Sequence, residues 1–288
     1  MDWTKAKTIL IIVFLFTNIF LGYELFELSM GSNYINDTRI NEIVDYLKDS
    51  NISVNMDVPH RAKPLPTILV RYKSFSKDEA AAIFFGNSTI NDVMQNENSM
   101  WLSDGNISVQ TRDNNELHYV NKAIAPSSTP NERNSKKEAE SFISKMGIGG
   151  SGRFFVGETA AGGYYKFSYG QKYSGMPVYN SYIEITANET GVHEARVVWF
   201  DSIKDHTNAT EVVSSIGVLL KVQQVLKSSG SYVAVNGMAQ GYYFNVTGAS
   251  SKAVEGTAFP VWKVNTNIAV LYINAYDEKV ERMDKVLQ

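Results

Sequence analysis

The sequence predicts an α+β protein in which an N-terminal transmembrane helix leads to two extracytoplasmic modules of antiparallel sheet and helix. Three observations predict it. Thr8 to Tyr23 is an uncharged, almost wholly apolar run. Beyond residue 50, most segments alternate apolar and polar residues between turn-forming clusters of Gly, Asn, Asp and Pro, which is the strand pattern. Only four segments carry helical spacing, and the strands fall in consecutive, hairpin-like order.

Lys5 and Lys7 precede the apolar run, and no basic residue follows it until Arg39. The positive-inside rule therefore places residues 1–7 in the cytoplasm as a tail and everything after the span outside. The run itself is short for a span of about 20 residues. Leu25, Phe26 and Leu28 lengthen it, so the predicted helix covers 8–28. A cleavable signal would need small residues at its cleavage site, and Gly22-Tyr-Glu-Leu-Phe-Glu-Leu28 supplies bulky ones, so an uncleaved signal-anchor is expected. Asn18 is the polar residue of the apolar run that costs most in hydrocarbon. It shares a helix face with Gly22, Phe14 and Ile11, with Thr17 beside it, and this face is the candidate site for pairing with another helix. The competing reading is that Asn18 bonds Thr17 or a carbonyl of its own helix.

Past the anchor, Ile35, Ile40, Ile43, Val44 and Leu47 recur at helical spacing over 33–51, with Asp37-Thr38 as the start. Ile52 to Val58 and Thr67 to Phe75 read as strands around a Pro-bounded stretch, 59–66. Ser76-Lys-Asp-Glu79 is a capping box that opens a short helix to Phe85. Trp101 to Val109 and Glu116 to Ala123 read as a hairpin. This first module, 33–124, ends at 125–134, a linker rich in turn formers.

The second module, 135–288, begins with a helix opened by Ser135-Lys-Lys-Glu138 and ended at Met146-Gly147. Strands are expected over Arg153–Glu158, Tyr164–Tyr173, Val178–Ala187 and Val192–Phe200. A second helix, Glu211 to Ser228, precedes strands over Tyr232–Val246, Phe259–Val264, Ile268–Tyr276 and Lys279–Met283. Two halves of helix plus antiparallel strands emerge. Pro177-Val-Tyr and Pro260-Val-Trp each open a strand pair within its half. This weak echo resembles the halves of PepSY-type extracytoplasmic modules.

The chemistry is sparse. A net charge of −3 without a local Lys/Arg cluster excludes nucleic acid as an expected partner. The chain has no cysteine, which removes disulfides, thiol catalysis and thiolate metal ligands. His60, His118, His193 and His206 lack metal-ligand spacing. Gly147-Ile-Gly-Gly-Ser-Gly152 matches a dinucleotide fingerprint, but it follows a helix instead of a strand, so a helix C-cap is expected. Asp201, Asp205 and His206 read as a solvated turn. No catalytic residue, cofactor or metal is expected, and the chain is not read as an enzyme. Among its many aromatics, Tyr179, Tyr182, Trp262 and Tyr276 are the outer interface candidates, each also suited to packing.

Several phrases together resemble one family. Met1-Asp-Trp-Thr-Lys-Ala-Lys-Thr-Ile9, Phe14-Leu-Phe-Thr-Asn-Ile-Phe-Leu21, Pro177-Val-Tyr-Asn-Ser-Tyr-Ile-Glu184 and Pro260-Val-Trp-Lys-Val264 with Ile273-Asn-Ala-Tyr276 look like the YycI (WalI) family. These are two-component regulatory proteins of low-GC Gram-positive bacteria. The resemblance implies a single-pass cell-membrane protein with a YycH-like outer fold. It also implies partners: the WalK (YycG) sensor histidine kinase, which controls cell-wall metabolism, and a YycH-like membrane protein. The alternative is a membrane-tethered module that binds a cell-wall component, lipid or peptide. A tethered hydrolase ranks third, because no residue set recommends it.

Overall fold

A computed structural model describes residues 7, 10–21, 34–96, 99–112, 115–149, 152–227, 230–246 and 253–286. Residues 10–21 form helix α1. The next helix, α2 (Asp37–Asp49), starts where Asn36 Oδ1 accepts from the Arg39 amide and buries Ile40 and Leu47. The Ser76–Glu79 capping box opens α3 (Lys77–Phe84) as expected. The helix α4 (Glu132–Lys145) begins three residues before the predicted Ser135. Asn131 caps it, and Ser135 Oγ instead donates back to Asn131 O at 2.6 Å. The last helix, α5 (Ser215–Leu226), starts after Ser214 and not near Thr210, because the Thr210 backbone is paired in both directions with Leu65.

Among the described residues the strands join in one fifteen-stranded network, which a single parallel pair divides into two antiparallel-rich sheets. The first runs β3 (Asp92–Gln95), β4 (Met100–Ser103), β5 (Ile107–Arg112), β6 (Glu116–Asn121), β10 (Gly191–Val198), β9 (Met176–Asn188), β8 (Tyr164–Tyr173) and β7 (Arg153–Ala161). α3 and α4 cover one face, and Phe142, Ile143, Phe167, Ile183 and Ile185 fill the space between. The second runs β1 (Ile52–Val54), β12 (Val233–Tyr243), β13 (Glu255–Thr266), β14 (Ala269–Asn274) and β15 (Val280–Lys285), covered by α2 and α5 over Leu47, Leu219, Val222 and Trp262. Helix followed by an antiparallel meander thus occurs twice, in α4 to β10 and in α5 to β15.

The strands of residues 34–124 are distributed through both sheets. β6 pairs with β10 and β1 with β12. β2 (Ile68–Tyr72) lies between β11 (Phe200–Asp205) and the first residues of β13. The stretches expected as consecutive modules therefore share hydrogen-bonded sheets across residues 125–134.

Two predicted strands are broken. Trp101–Val109 turns at Asp104, whose Oδ1 accepts from the amides of Asn106 and Ile107, while Gly105 takes φ +99°. Val192–Phe200 splits at Trp199, where the chain leaves β10 of the first sheet and enters β11 beside β2. That departure strands the Phe200 peptide groups. The buried Gln171 side chain satisfies both, donating from Nε2 to Phe200 O at 2.8 Å and accepting from Phe200 N at 3.1 Å. Asn180 does the same for Phe244 just beyond β12, at 2.7 and 3.3 Å. Between these clamps, β9 and β12 meet in one parallel pair, Tyr242 with Val178, and Tyr72 stacks on Phe200 at 4.6 Å.

Replacing Gln171 with Leu keeps the volume and removes the clamp, leaving buried peptide groups unpaired. The expected cost is about 2–4 kcal/mol, read as a lower urea midpoint with unchanged slope. A midpoint matching wild type would show that the clamp carries no stability.

Candidate functional site

In α1, Ile11, Phe14, Thr17 and Asn18 are all exposed. Its large apolar side chains, Leu10 through Leu21, are between 48% and 72% exposed, so no other element among the described residues buries them. Asn18 Nδ2 donates to Phe14 O at 3.0 Å and Thr17 Oγ1 to Val13 O at 2.9 Å, both within the helix. The Asn18 amide proton is thus used locally. Lys7 is helical, whereas Lys5 and Gly22 lie outside the described residues. No helix among the described residues is long and apolar enough to cross a membrane.

The outer aromatic candidates do not converge. Trp262 is 1% exposed and donates from Nε1 to Val213 O, which makes it the anchor between β13 and the segment entering α5. Tyr276 donates to Leu65 O at 2.6 Å. Tyr179 donates to Ala239 O and Gln240 O and lies over Gly241, where any Cβ would meet its ring at 2.5 Å. Burial and the neighbouring Tyr272 hydroxyl hold the Tyr179 hydroxyl well above its usual range. Tyr182, half-buried like Tyr179 and Tyr276, lines a cleft.

That cleft, of about 520 Å³, lies at the sheet junction. Its floor is Tyr72, Asn180 and Phe244, and its walls are Glu116 with Tyr182 on one side and Tyr243, Asn245 and residues 281–284 on the other. Tyr182 Oη approaches Glu116 at 3.5 Å, and burial, then the nearby Glu116 and Glu184 charges, pushes its hydroxyl up to about 12. Arg282 Nε donates to Asp284 at 2.7 Å and its Nη1 to Tyr243 Oη at 3.4 Å. Glu281 accepts from Asn245 and Asn274 at 2.7 and 2.8 Å. Burial first, then the Tyr243 and Tyr182 hydroxyls, raises the Tyr72 hydroxyl. Sequence reasoning reached Tyr182 alone here, because the lining residues come from distant strands and share no motif.

Beside the cleft, the face of the first sheet opposite α3 and α4 is polar and open. Lys166 pairs with Glu184 at 3.0 Å, and Glu194 accepts from His118 at 2.9 Å and from Arg196 at 3.1 Å. Among the described residues, no three His, Asp or Glu groups could hold a metal ion. His60 and His193 donate to the carbonyls of Ile35 and Asn121. Asp201 faces Arg71 across β2 and β11, apart from Asp205 and His206. Gly147, at φ +67°, ends α4 as a C-cap glycine, its amide donating to Ser144 O; Gly150 and Ser151 lie outside the described residues.

Partial burial alone would raise the Glu194 pKa, but the hydrogen bonds from His118 and Arg196 outweigh it and hold the carboxyl below its usual range. A carboxyl lowered on folding adds stability above its unfolded pKa of about 4.3, and that stability is lost as pH falls through the lowered value. Glu194→Gln should therefore lower stability near neutrality and flatten the decline on the acid side of about pH 5, the two proteins converging at low pH. Superimposable acid limbs of wild type and variant, by urea titration, would contradict this.

A family model described as "YycI protein" matches residues 31–276. No curated protein matches the chain. Among solved structures, an uncharacterized protein from Eubacterium rectale ATCC 33656 is similar, with 12% identity and a TM-score of 0.51, covering 80% of this chain and 90% of that one. The Bacillus megaterium YpeB C-terminal domain also matches, with 11% identity and a TM-score of 0.39, over 75% of this chain and all of that one. The first likeness concerns the fold alone.

Proposed function

The chain belongs to the YycI family, and we propose from this premise that it is a non-enzymatic, membrane-anchored regulator that acts by contact. Family membership makes it a regulator of the WalK two-component system. The finer reading is that residues 8–28 form a signal-anchor with a cytoplasmic N-terminus, and that the outer region stands outside the cell. The anchor then packs against helices of the sensor kinase and of a YycH-like protein, with the outer region associating with the latter.

The observation that carries this reading is the family match across almost the whole outer region. α1 supports it physically. A helix whose apolar side chains stay exposed among the described residues needs an apolar surrounding, and lipid or partner helices provide one. Its described twelve residues reach about 18 Å of a hydrocarbon core of about 30 Å. The flanking residues 8–9 and 22–28 complete the span expected from sequence.

Regulation by contact has an energetic condition. A bound partner biases a kinase only to the extent that it binds one signalling state better than the other. Ile11, Phe14 and Asn18 lie along one stripe of α1, and a stripe of this kind can fit two arrangements of neighbouring helices unequally.

The test is replacement of residues 8–23 by an unrelated apolar span of equal length in a producing cell. With protein abundance unchanged, output of a kinase-dependent reporter should shift roughly fivefold or more, the lower end of ordinary allosteric coupling. Wild-type output from the replaced protein would move the function to the outer region and sink the helix-contact reading.

A further inference from the structure

We propose that the cleft at the sheet junction is a binding site for an uncharged, hydroxyl-rich ligand, a glycan fragment of one or two sugar rings. The inference stands on the cleft's own chemistry and does not require the kinase reading. Its volume, about 520 Å³, lies within the range of small-molecule sites.

The lining holds two phenol donors in need of an acceptor, Tyr72 on the floor and Tyr243 on the wall. Tyr72 and Tyr243 are 4% and 6% exposed. Tyr72 Oη accepts from Asn180 Nδ2 at 3.5 Å, and Tyr243 Oη accepts from Arg282 Nη1 at 3.4 Å. Both partners are donors, so each phenolic proton is left without an acceptor among the described residues. Any ligand that displaces water from these hydroxyls must offer an acceptor in its place or leave them unpaired, and a ligand oxygen above them meets that need.

The walls narrow the choice. Arg282, the cation of the lining, is already committed to Asp284, while Glu116 and Glu281 leave an excess of negative charge, so a phosphate or carboxylate ligand is disfavoured. An apolar ligand would seal the two tyrosine hydroxyls away from water unpaired. A simple carbonyl compound would satisfy them and leave the Glu116 carboxylate, met among the described residues by Tyr182 at 3.5 Å, without a good donor. A sugar hydroxyl both accepts and donates. Adjacent hydroxyls on a ring can therefore accept from Tyr72 and Tyr243 while donating to Glu116.

The experiment uses the full-length chain in a zwitterionic detergent free of sugar headgroups. N,N′-diacetylchitobiose, cellobiose and maltose are each titrated by saturation-transfer NMR, with spermidine and inorganic phosphate as competitors. At least one disaccharide should bind saturably, resist both competitors, and weaken by roughly three- to tenfold in Tyr72→Phe and in Tyr243→Phe. Both substitutions keep the ring and remove only the hydroxyl, and an unchanged urea midpoint checks that the variants are folded. The proposal is overturned if no disaccharide saturates up to about 10 mM, if binding is indifferent to both substitutions, or if spermidine or phosphate takes the site.

Discussion

The rest of the structure depends on how the chain passes from one sheet to the other without burying unpaired peptide groups. Strands leave their ladders at Trp199 and again after Tyr243, and at each exit a side-chain amide takes over the ladder's role. Gln171 brackets Phe200 and Asn180 brackets Phe244, each amide donating to a carbonyl and accepting from an N–H. A third amide, Gln240, brackets Lys63 in the same way at the surface. Because an amide carries a donor and an acceptor side by side, it substitutes for one peptide of a neighbouring strand. Few other side chains can. The aromatic cluster of Tyr72, Phe200 and Phe244 is held in register by these bonds, and Tyr72 and Phe244 of it reach the floor of the cleft.

Most elements were legible as sequence, and the reasons are local. The Ser76–Glu79 capping box and the spacing of Ile40 and Leu47 are short-range signals, and α2 and α3 start at or beside the expected residues. β8 matches its expected bounds because Tyr164 to Tyr173 lies between glycine-containing turns. Where boundaries moved, a partner distant in sequence was responsible. Thr210 is claimed by Leu65, so α5 starts later; Phe200 is claimed by Gln171 and Tyr72, so the predicted strand breaks before it. β3 was missed because all four of its residues are exposed and it carries no buried alternation. The cleft was illegible for the same reason. Glu116, Asn180, Tyr243 and Arg282 lie on four strands, and only the pairing of the sheets brings them together.

The polar residues of α1 show a further limit of pattern reading. Asn18 and Thr17 stand out by composition, yet both donate to carbonyls one turn back in their own helix. Such a bond lowers the cost of a polar group in an apolar setting and leaves the Asn18 carbonyl oxygen to accept from another chain. The same residue can thus be tolerated locally and still be used in association. Sheets that share strands from both ends of the body, as in the β1–β12 and β6–β10 pairs, give it few places to flex independently, so a contact on one sheet can act on the other.

The most direct test of the proposed contact mechanism is photocrosslinking in intact membranes from a reactive residue at position 18, compared with one at position 20. These positions lie about 200° apart around the helix. The account predicts that position 18 captures a sensor kinase or a second single-span protein and that position 20 does not. Equal capture at both positions, or capture of lipid alone at 18, would contradict a specific helix face and leave the outer region as the seat of function.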